Sequence, residues 1–343
     1  MRRPGIHTLT LLAILPLIGS AAGLAQPNAS SRVPLCTRAA APNGSDQAGG
    51  TLRRPFRTAD RVVSVLRPGD VGCLVGGVYE DVAIRRGGRP GQRITLRSAP
   101  GTRATIRGIL EIADSADYVT VSDVNVDGSG SGQQTIQVWG DFATIRRLNV
   151  TNRGQGGSCV HLGSRDYGTA VAPRVERSRL HDCGDDRFDH GIYADSSRNA
   201  VIVRNYVYSI PGWGLHLYKD ADNTRVEGNI FDGERESGIL IAGDESDGRC
   251  LTSDDNVIRR NILTFSAKHG VDEWWGCAPG KGNLAVNNCL WGNRSGPFDS
   301  EFEGYVARGN RIANPRFVDR AKGDFRLRRG SGCAGTGPAA RLR

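Results

Sequence analysis

One short phrase recurs along most of this chain, about once every two dozen residues. In its later copies it reads as a β-branched pair, two mostly polar residues, an asparagine and another apolar residue. The marker positions, extended backwards in the same register, are Val124, Leu148, Ser178, Asn205, Asn229, Asn261, Asn288 and Asn310. The steps between them are 24, 30, 27, 24, 32, 27 and 22 residues. A repeat with irregular steps predicts a constant core with loops of variable length.

A second phrase lies between copies of the first and consists of a small residue, mostly glycine, followed by alternating apolar residues. Its copies begin at Thr135, Cys159, Gly191, Gly214, Gly238 and Gly270. Each repeat therefore contains at least two short strands with period-two patterning. Strands that cannot bury their apolar face within one repeat stack on the next repeat. The sequence predicts an all-β fold, a right-handed parallel β-helix, in which the asparagines stack and hydrogen bond to one another.

The sequence divides into five segments. Residues 1–25 are predicted to be a secretory signal peptide, because Arg2 and Arg3 precede a short apolar run and small residues. Residues 26–50 are predicted to be a flexible lead-in, 51–107 the N-terminal cap and first coils, 108–313 the β-helix repeats, and 314–343 a C-terminal tail packed on the solenoid. Apolar positions at helical spacing behind Thr58 predict a short capping helix over residues 58–66, since an open solenoid end would expose core and strand edges.

All 8 cysteines follow the predicted signal peptide. An even number of cysteines in an exported chain favours disulfides over metal thiolates. Eight cysteines allow many pairings, and stacked coils favour one of them as a hypothesis. Its pairs are Cys36–Cys73, Cys159–Cys183, Cys250–Cys277 and Cys289–Cys333.

The formal net charge is +9, and only 4 of the 45 basic residues are lysines. Arginine binds a carboxylate or sulfate with two parallel hydrogen bonds, so this composition suits an acidic polysaccharide as partner. A compositional preference for arginine on solvated faces is an equal alternative. The basic residues are not clustered, so we expect no nucleic-acid partner. No later segment approaches the roughly 20 apolar residues of a membrane span, and we expect a monomer.

Chemistry is predicted on the outer face of the second phrase, where one residue of each copy points outwards. This column contains Gln137, His161, Tyr193, His216, Leu240 and Asp272. A second outward column contains Asp195, Tyr218 and Trp274, and His190 precedes the same strands. Because parallel strands lie about 4.8 Å apart, several of these side chains could touch one sugar-sized ligand. The alternative is a surface ladder of stacked polar rings without a catalytic role.

An acidic loop, residues 182–195, enters one of these strands. Its carboxylates Asp185, Asp186 and Asp189 could hold Ca²⁺, and Arg187 lies among them. The alternative is that these aspartates only bond their own backbone in a turn.

Several stretches of the sequence carry a family resemblance. Residues 41–46, 55–58, 66–70, 76–79 and 94–97 resemble the N-terminal end of secreted β-helix polysaccharide lyases of the alginate and chondroitin type. Over residues 42–330 the chain resembles the pectate-lyase-like β-helix superfamily. This resemblance implies the fold but selects no activity, because many chemistries share the scaffold. The polygalacturonase motifs are incomplete: Asp185-Asp186 and His190-Gly191 are present, but the Asn-Thr-Asp and Arg-Ile-Lys elements are not.

We expect a secreted lyase that cleaves a uronate-containing polysaccharide by β-elimination. That reaction needs a group that neutralises the uronate carboxylate, a base for the C5 proton and an acid for the leaving oxygen. Ca²⁺ or Arg187 could neutralise the carboxylate. His216 or His190 could be the base, and Tyr193 or Tyr218 could be the acid. His161 is a further catalytic candidate in the same column. The predicted substrate-binding residues are Arg187, Asp195, Lys219, Asp272 and Trp274. The alternatives are a non-catalytic glycan- or cell-wall-binding protein and a glycoside hydrolase with paired aspartates.

Overall fold

The computed structural model describes residues 35–299 and 301–338, so the predicted signal peptide lies outside the described residues. The chain winds repeatedly through three sheets, and we call them sheet 1, sheet 2 and sheet 3 in the order in which a coil passes through them. Neighbouring strands in each sheet come from successive coils and run parallel. This is the parallel β-helix that the repeats predict.

Sheet 1 carries the second phrase of the repeat. Its strands are Val82–Ile84, Leu110–Ile112, Ile136–Val138, Val160–Leu162, Ile192–Ala194, Leu215–Leu217, Ile239–Ser246, His269–Trp275 and Gly296–Phe298, with Arg249–Leu251 paired antiparallel to Ile239–Ser246.

Sheets 2 and 3 carry the two halves of the first phrase, before and after the marker position. Sheet 2 contains Arg38–Ala40, Val71–Leu74, Ile94–Ser98, Val119–Ser122, Thr144–Arg146, Arg174–Glu176, Val201–Val203, Arg225–Glu227, Val257–Arg259, Leu284–Val286 and Val306–Arg308. Sheet 3 contains Gly77–Tyr79, Ala104–Arg107, Asn125–Asp127, Asn149–Thr151, Arg179–His181, Tyr206–Tyr208, Ile230–Asp232, Ile262–Thr264, Cys289–Trp291 and Arg311–Ile312. A minor pair joins Ala170–Val171 to Ser197–Arg198.

The core is a set of aliphatic columns that run along the solenoid axis. In sheet 1 the inward column is fully buried and in register from coil to coil. It consists of Ile136, Val160, Ile192, Leu215, Ile239 and Val271. Burial of each such side chain stabilises the fold by about 1.5–3 kcal/mol. The period-two assignment of inward and outward positions is therefore correct.

Buried asparagines link successive coils at the turn between sheets 2 and 3. The Nδ2 of Asn229 donates to Oδ1 of Asn261 at 2.9 Å and to the carbonyl of Ile202 at 2.9 Å. The same Oδ1 accepts the backbone N–H of Asn229 at 2.8 Å. This pattern repeats from Asn205 to Asn310 and continues to Ser178, whose N–H donates to Asn205. The ladder satisfies polar groups that water cannot reach.

A helix covers the N-terminal end of the solenoid, and a C-terminal hairpin packs on its side. The predicted capping helix is present as Ala59–Val65, and the Thr58 hydroxyl accepts the N–H of Arg61 at 3.1 Å. Near the C-terminus a hairpin lies against the middle strands of sheet 3, with the ring of Phe325 5.2 Å from the ring of Tyr208. The hairpin strands are Phe317–Asp319 and Asp324–Leu327, joined by the 3-10 helix Arg320–Lys322.

Part of the predicted flexible lead-in instead belongs to the fold. Arg38–Ala40 is the first strand of sheet 2 and pairs in parallel with Val71–Leu74. Its alanines are fully buried, and Cys36 is joined to Cys73. The strand escaped the sequence analysis because a run of three small or polar residues carries no strand signal of its own.

The four disulfides of the structure are the four pairs that stacked coils favoured: Cys36–Cys73, Cys159–Cys183, Cys250–Cys277 and Cys289–Cys333. Disulfides of this density are typical of proteins that fold in oxidising compartments. Within the described residues no helix has the length and apolar character needed to cross a bilayer.

One buried carboxyl group opposes the fold at neutral pH. Glu234 is almost inaccessible to solvent and lies in the turn after sheet 3. Its Oε2 accepts the hydroxyl of Ser266 at 2.9 Å, whereas Oε1 has no partner among the described residues. Burial, followed by the nearby charge of Asp232, raises the pKa of Glu234 to about 8. The folded state therefore favours the protonated acid.

Asn261→Ala should destabilise the protein by about 2–4 kcal/mol, because it leaves three buried groups without partners: the backbone N–H of Asn229, one side-chain amide hydrogen of Asn229 and the carbonyl of Val226. Asn310→Ala is the matched control at the end of the ladder, where the side chain is half-buried and water can replace it. Urea unfolding measures both variants. Equal losses would contradict a ladder that depends on exclusion of water.

Glu234→Gln should change how stability depends on pH. The pKa of Glu234 is higher in the folded state than in the unfolded state. Its ionisation therefore does not reduce the free energy of unfolding below about pH 4.5. As the pH rises towards 8, the free energy of unfolding falls by up to about 1.4 kcal/mol per pH unit because of this one group. The glutamine variant should lose this slope and be the more stable protein at pH 8. Urea unfolding at pH 5, 6.5 and 8 tests this, with exposed Glu245→Gln as control; an unchanged slope would refute it.

Candidate active site

The outer face of sheet 1 carries the two predicted columns in register. Gln137, His161, Tyr193, His216, Leu240 and Asp272 are aligned partners on successive strands. Trp139, Gly163, Asp195, Tyr218, Ala242 and Trp274 occupy the second column. Four of the five histidines after the predicted signal peptide are on this face or at its edge; the fifth, His181, belongs to sheet 3.

Aromatic rings follow one another along this face. We define the aromatic face as Trp139, His161, Tyr193, His216, Tyr218 and Trp274. The centroid distances between successive rings are 4.9, 4.7, 5.4, 4.9 and 6.3 Å. Trp274 is 47% exposed at one end. Such a surface offers flat apolar rings with polar edges, which is the chemistry that sugar rings pack against.

The two histidines predicted as bases are not accessible to a ligand. His216 is 9% exposed and His190 is 4% exposed. Nδ1 of His216 and Nε2 of His190 lie 3.1 Å apart and share one hydrogen bond. Trp213 packs 5.1 Å from His216 and 5.4 Å from His190. Burial lowers the pKa of His190 to about 3 and that of His216 well below its usual value, so both rings are neutral.

His161 shares this environment. Its ring is half-buried against Trp139, and burial lowers its pKa to about 4. The three histidines therefore pack as neutral aromatic groups. Burial of His216 and His190 argues against either ring as the base in this conformation, and their catalytic role stays a prediction. Their sequence pattern correctly identified the face but could not show which rings the neighbouring aromatic residues cover.

Asp195 is the residue beside the aromatic face whose pKa lies nearest neutrality. Its side chain is half-buried at the end of strand Ile192–Ala194. Burial raises the pKa of Asp195 to about 6, while the N–H of Ser196 and the positive charges of Lys219 and Arg165 limit the rise. Burial and the negative charge of Asp195 raise the pKa of Tyr193 and keep that phenol protonated. A carboxyl group that titrates near neutrality can both take and give a proton.

Tyr218 contacts a second carboxylate. Its hydroxyl donates to Oδ2 of Asp244 at 3.0 Å. Burial and this hydrogen bond raise the pKa of Tyr218 to about 12. The Nζ of Lys219 lies 5.4 Å from the centre of the Tyr218 ring. Asp195, Tyr218 and Lys219 thus form a polar group on the aromatic face.

A bridge between two loops passes beside this group. Arg165 follows strand Val160–Leu162, and it donates to Oδ2 of Asp247 at 2.7 Å and to the hydroxyl of Ser246. Asp247 is at the tip of the hairpin Ile239–Ser246/Arg249–Leu251, three coils further along. The contact spans the intervening coils that carry Asp195 and Lys219, so the bridge lies beside the Asp195 end of the aromatic face.

The acidic loop does not assemble the predicted Ca²⁺ site in this conformation. Oδ2 of Asp189 accepts the N–H groups of Asp185 and Asp186 at 3.1 and 3.3 Å, and Oδ1 of Asp186 accepts the N–H of Phe188 at 2.9 Å. Among the described residues these three carboxylates do not converge as a ligand set. The carboxylates of Asp186 and Asp189 thus accept hydrogen bonds from the loop backbone, which is the arrangement that the turn alternative describes.

The other predicted binding residues are dispersed. Arg187 is exposed and lies 4.0 Å from Glu236 and over the ring of Phe188 at 5.0 Å, on the opposite edge of sheet 1 from Lys219. Asp272 is 8% exposed, and its Oδ2 accepts the hydroxyl of Ser237 at 2.6 Å. Its side chain therefore offers little surface to a sugar ring packed on the aromatic face. Trp274 remains exposed on the aromatic face.

Three functional candidates were missed from the sequence. Trp139 could have been found, because it occupies the second outward column one coil before Gly163. Asp244 continues a strand that is longer than its neighbours, and Arg165 belongs to a loop, so neither position follows from the repeat. The spacing of the repeat predicts strand positions but not the contacts that loops of different coils make with one another.

No curated protein sequence matches this chain. Among solved structures, the protein is similar to pectate lyase Pel9A, with 14% identity and a TM-score of 0.67 over 90% of this chain and 91% of that one. It is similar to XylC, solved in complex with xylose, with 13% identity and a TM-score of 0.52 over 76% and 69% of the two chains. It is also similar to the GH136 lacto-N-biosidase from Eubacterium ramulus, with 12% identity and a TM-score of 0.50 over 80% of this chain and 67% of that one.

At these identities the similarity establishes the fold and no activity. Residues 107–312, more than half of the chain, match the family described as right handed beta helix region, and the protein therefore belongs to the right-handed β-helix family.

Proposed function

We propose that this protein is a secreted carbohydrate-active enzyme that cleaves an acidic, uronate-containing polysaccharide by β-elimination. The observation that carries the proposal is the group formed by Asp195, Lys219 and Tyr218 on the aromatic face, with the Arg165 bridge beside it. The four disulfides support a location outside the cell. Similarity in fold to a pectate lyase is consistent with this class of substrate.

Substrate binding would use the apolar and charged parts of the face together. Sugar rings would pack on Trp274 and Tyr218, since aromatic rings bury the apolar face of a pyranose. Lys219 and Arg165 would neutralise the uronate carboxylate, which lowers the cost of removing the neighbouring proton at C5. The net positive charge of the chain would favour approach of an anionic polymer.

Proton transfer would be carried by Asp195 and Tyr193. Ionised Asp195 would remove the C5 proton, the C4–O bond would break, and Tyr193 would give its proton to the leaving oxygen. The proton held by Asp195 would then return to Tyr193 through water, which restores both groups. The raised pKa of Asp195 makes its carboxylate a stronger base than an exposed aspartate, while the raised pKa of Tyr193 keeps its proton available.

Hydrolysis is a second candidate, and Asp244 is the specific observation that favours it. Asp195 with a pKa of about 6 could be the general acid, and Asp244, held by Tyr218, could activate water. The two mechanisms predict opposite changes of activity with pH. A lyase that needs ionised Asp195 gains activity as the pH rises through 6, whereas a hydrolase that needs protonated Asp195 loses activity.

The full mature chain should produce unsaturated oligosaccharides from at least one uronate polymer, such as polygalacturonate, alginate or glucuronan, and none from neutral xylan. Absorbance of the unsaturated product measures elimination, and a reducing-end assay measures any cleavage. Asp195→Asn should lower the rate at least about 100-fold, as expected for loss of a general base. Asp220→Asn, which removes a surface partner of Arg198, is the matched control and should keep the rate.

New reducing ends without unsaturated product would replace elimination with hydrolysis. Retained polymer binding with no cleavage of any substrate would instead support the binding-protein alternative. A full rate for Asp195→Asn would remove that residue from the mechanism. Titration of Ca²⁺ after treatment with a chelator, together with Asp189→Asn, tests whether the acidic loop rearranges around an ion when substrate is bound.

Lys219→Met should raise the pKa of Asp195 above about 6, because the lysine charge favours the ionised carboxylate. Carboxyl ¹³C shifts of Asp195 followed across pH 4–9 measure the titration directly. Lys281→Met removes an exposed lysine elsewhere and should leave it unchanged. A fall in the Asp195 pKa in Lys219→Met would contradict the proposed electrostatics.

A further inference from the structure

Three potential metal ligands meet at the C-terminal end of sheet 1, away from the aromatic face centre. His269 begins strand His269–Trp275, Asp272 lies on the same strand, and Asp299 follows strand Gly296–Phe298. One ligand atom from each lies within 4.8 Å of the other two. The site is separated from Asp195 by three strand steps, or roughly 14 Å along the axis.

The distances inside this cluster suit an ion better than direct contact. Nδ1 of His269 is 3.7 Å from Oδ1 of Asp272 and 3.9 Å from Oδ2 of Asp299. Both are too long for hydrogen bonds. Ligand atoms that surround one divalent ion at bond lengths of about 2.0–2.5 Å are separated from each other by about 3–4 Å.

Hydrogen bonds orient both carboxylates, and Oδ1 of Asp272, which faces His269, also accepts the backbone N–H of Glu273 at 3.0 Å. The Ser237 hydroxyl donates to Oδ2 of Asp272 at 2.6 Å, and the N–H of Glu301 donates to Oδ1 of Asp299 at 3.2 Å. Tyr305 donates to the backbone carbonyl of Asp299 and fixes the start of this loop. Outer hydrogen bonds of this kind hold metal ligands in place.

The histidine supplies an independent indication of a ligand. Nδ1 of His269 is buried and has no hydrogen-bond partner within the described parts of the chain, although it faces two carboxylates. A buried polar atom without a partner costs about 1–3 kcal/mol, and the buried carboxylate of Asp272 and the half-buried carboxylate of Asp299 repel one another when both are ionised. A cation at the centre would remove both costs.

We propose that His269, Asp272 and Asp299 bind a divalent transition-metal ion, Zn²⁺ or Mn²⁺. An imidazole nitrogen combined with carboxylate oxygens is a typical ligand set for these ions, whereas Ca²⁺ and Mg²⁺ prefer oxygen ligands throughout. Three protein ligands leave further coordination positions for water or for an oxygen of a bound ligand.

The location indicates what the ion would do for the fold. Gly296–Phe298 is the terminal strand of sheet 1 in the described chain. The following loop is anchored to buried Glu273, which accepts N–H groups of Phe302 and Gly304 at 2.9 and 2.7 Å and of the Trp275 indole at 3.0 Å. An ion bound by Asp272 and Asp299 would add a link between the terminal strand and its neighbour, where the stacking of coils ends.

The test uses untagged full mature protein that has been stripped with a chelator and dialysed. Calorimetric titration with Zn²⁺ and Mn²⁺ should show one site per chain, and Ca²⁺ should bind at least about 10-fold more weakly. His269→Gln and Asp299→Asn should each weaken binding at least about 10-fold. His181→Gln is the matched control, because His181 contacts Asp182 at 2.7 Å without a third ligand and should keep the affinity.

Thermal unfolding provides a second measurement. The bound ion should raise the melting temperature of the wild type and of His181→Gln, and should raise it little in the two site variants. Absence of stoichiometric binding, or equal binding by His269→Gln and Asp299→Asn, would overturn the proposal. Tighter binding of Ca²⁺ than of Zn²⁺ and Mn²⁺ would overturn the assigned ion class. These outcomes do not depend on polysaccharide cleavage, so they are separable from the proposed activity.

Discussion

The structure depends on coils that stack flush, with every strand paired to the equivalent strand of the next coil. Period-two burial fixes which residues face the core, and the asparagine ladder fixes the turn between sheets 2 and 3. Because each Asn amide bonds to the coils before and after it, a slip of one coil would leave several buried groups without partners. Differences in repeat length are therefore confined to the loops around sheet 1, and those loops supply the charged groups beside the aromatic face.

Stacking also explains the electrostatics of that face. Rings placed on successive strands exclude water from one another, so burial makes the charged form of each group unfavourable. The pKa values of His161, His190 and His216 fall, and those of Tyr193 and Tyr218 rise. The face is consequently neutral over most of the physiological range. Asp195 differs because it lies at the strand end, near Lys219 and Arg165, where its carboxyl group can titrate near pH 6.

The sequence predicted what the repeat encodes: the fold, the capping helix, the outward columns and the cysteine pairs. It could not predict which side chains on the outer face of sheet 1 cover one another. The spacing places His216 in an outward position but does not show that Trp213 and Tyr218 pack against it and that Trp213 also packs against its partner His190. It also failed in loops, since nothing in the spacing shows that Asp189 accepts N–H groups of its own loop, that Arg165 meets Asp247 or that Asp299 approaches His269. Strand Arg38–Ala40 was missed because small residues give no strand signal.

A solenoid makes its sites nearly independent of one another. Each coil contacts mainly the coils before and after it, so stability and local geometry are close to a sum of nearest-neighbour terms. Asp195 and the cluster around His269 are separated by three strand steps and share no direct partner, so substitutions in one centre should leave the other unchanged. The same independence allows loops on a common scaffold to change without disturbing the core. Proteins as similar in fold as this chain and a pectate lyase can therefore carry different groups on the same sheet, and the chemistry of each must be argued from its own side chains.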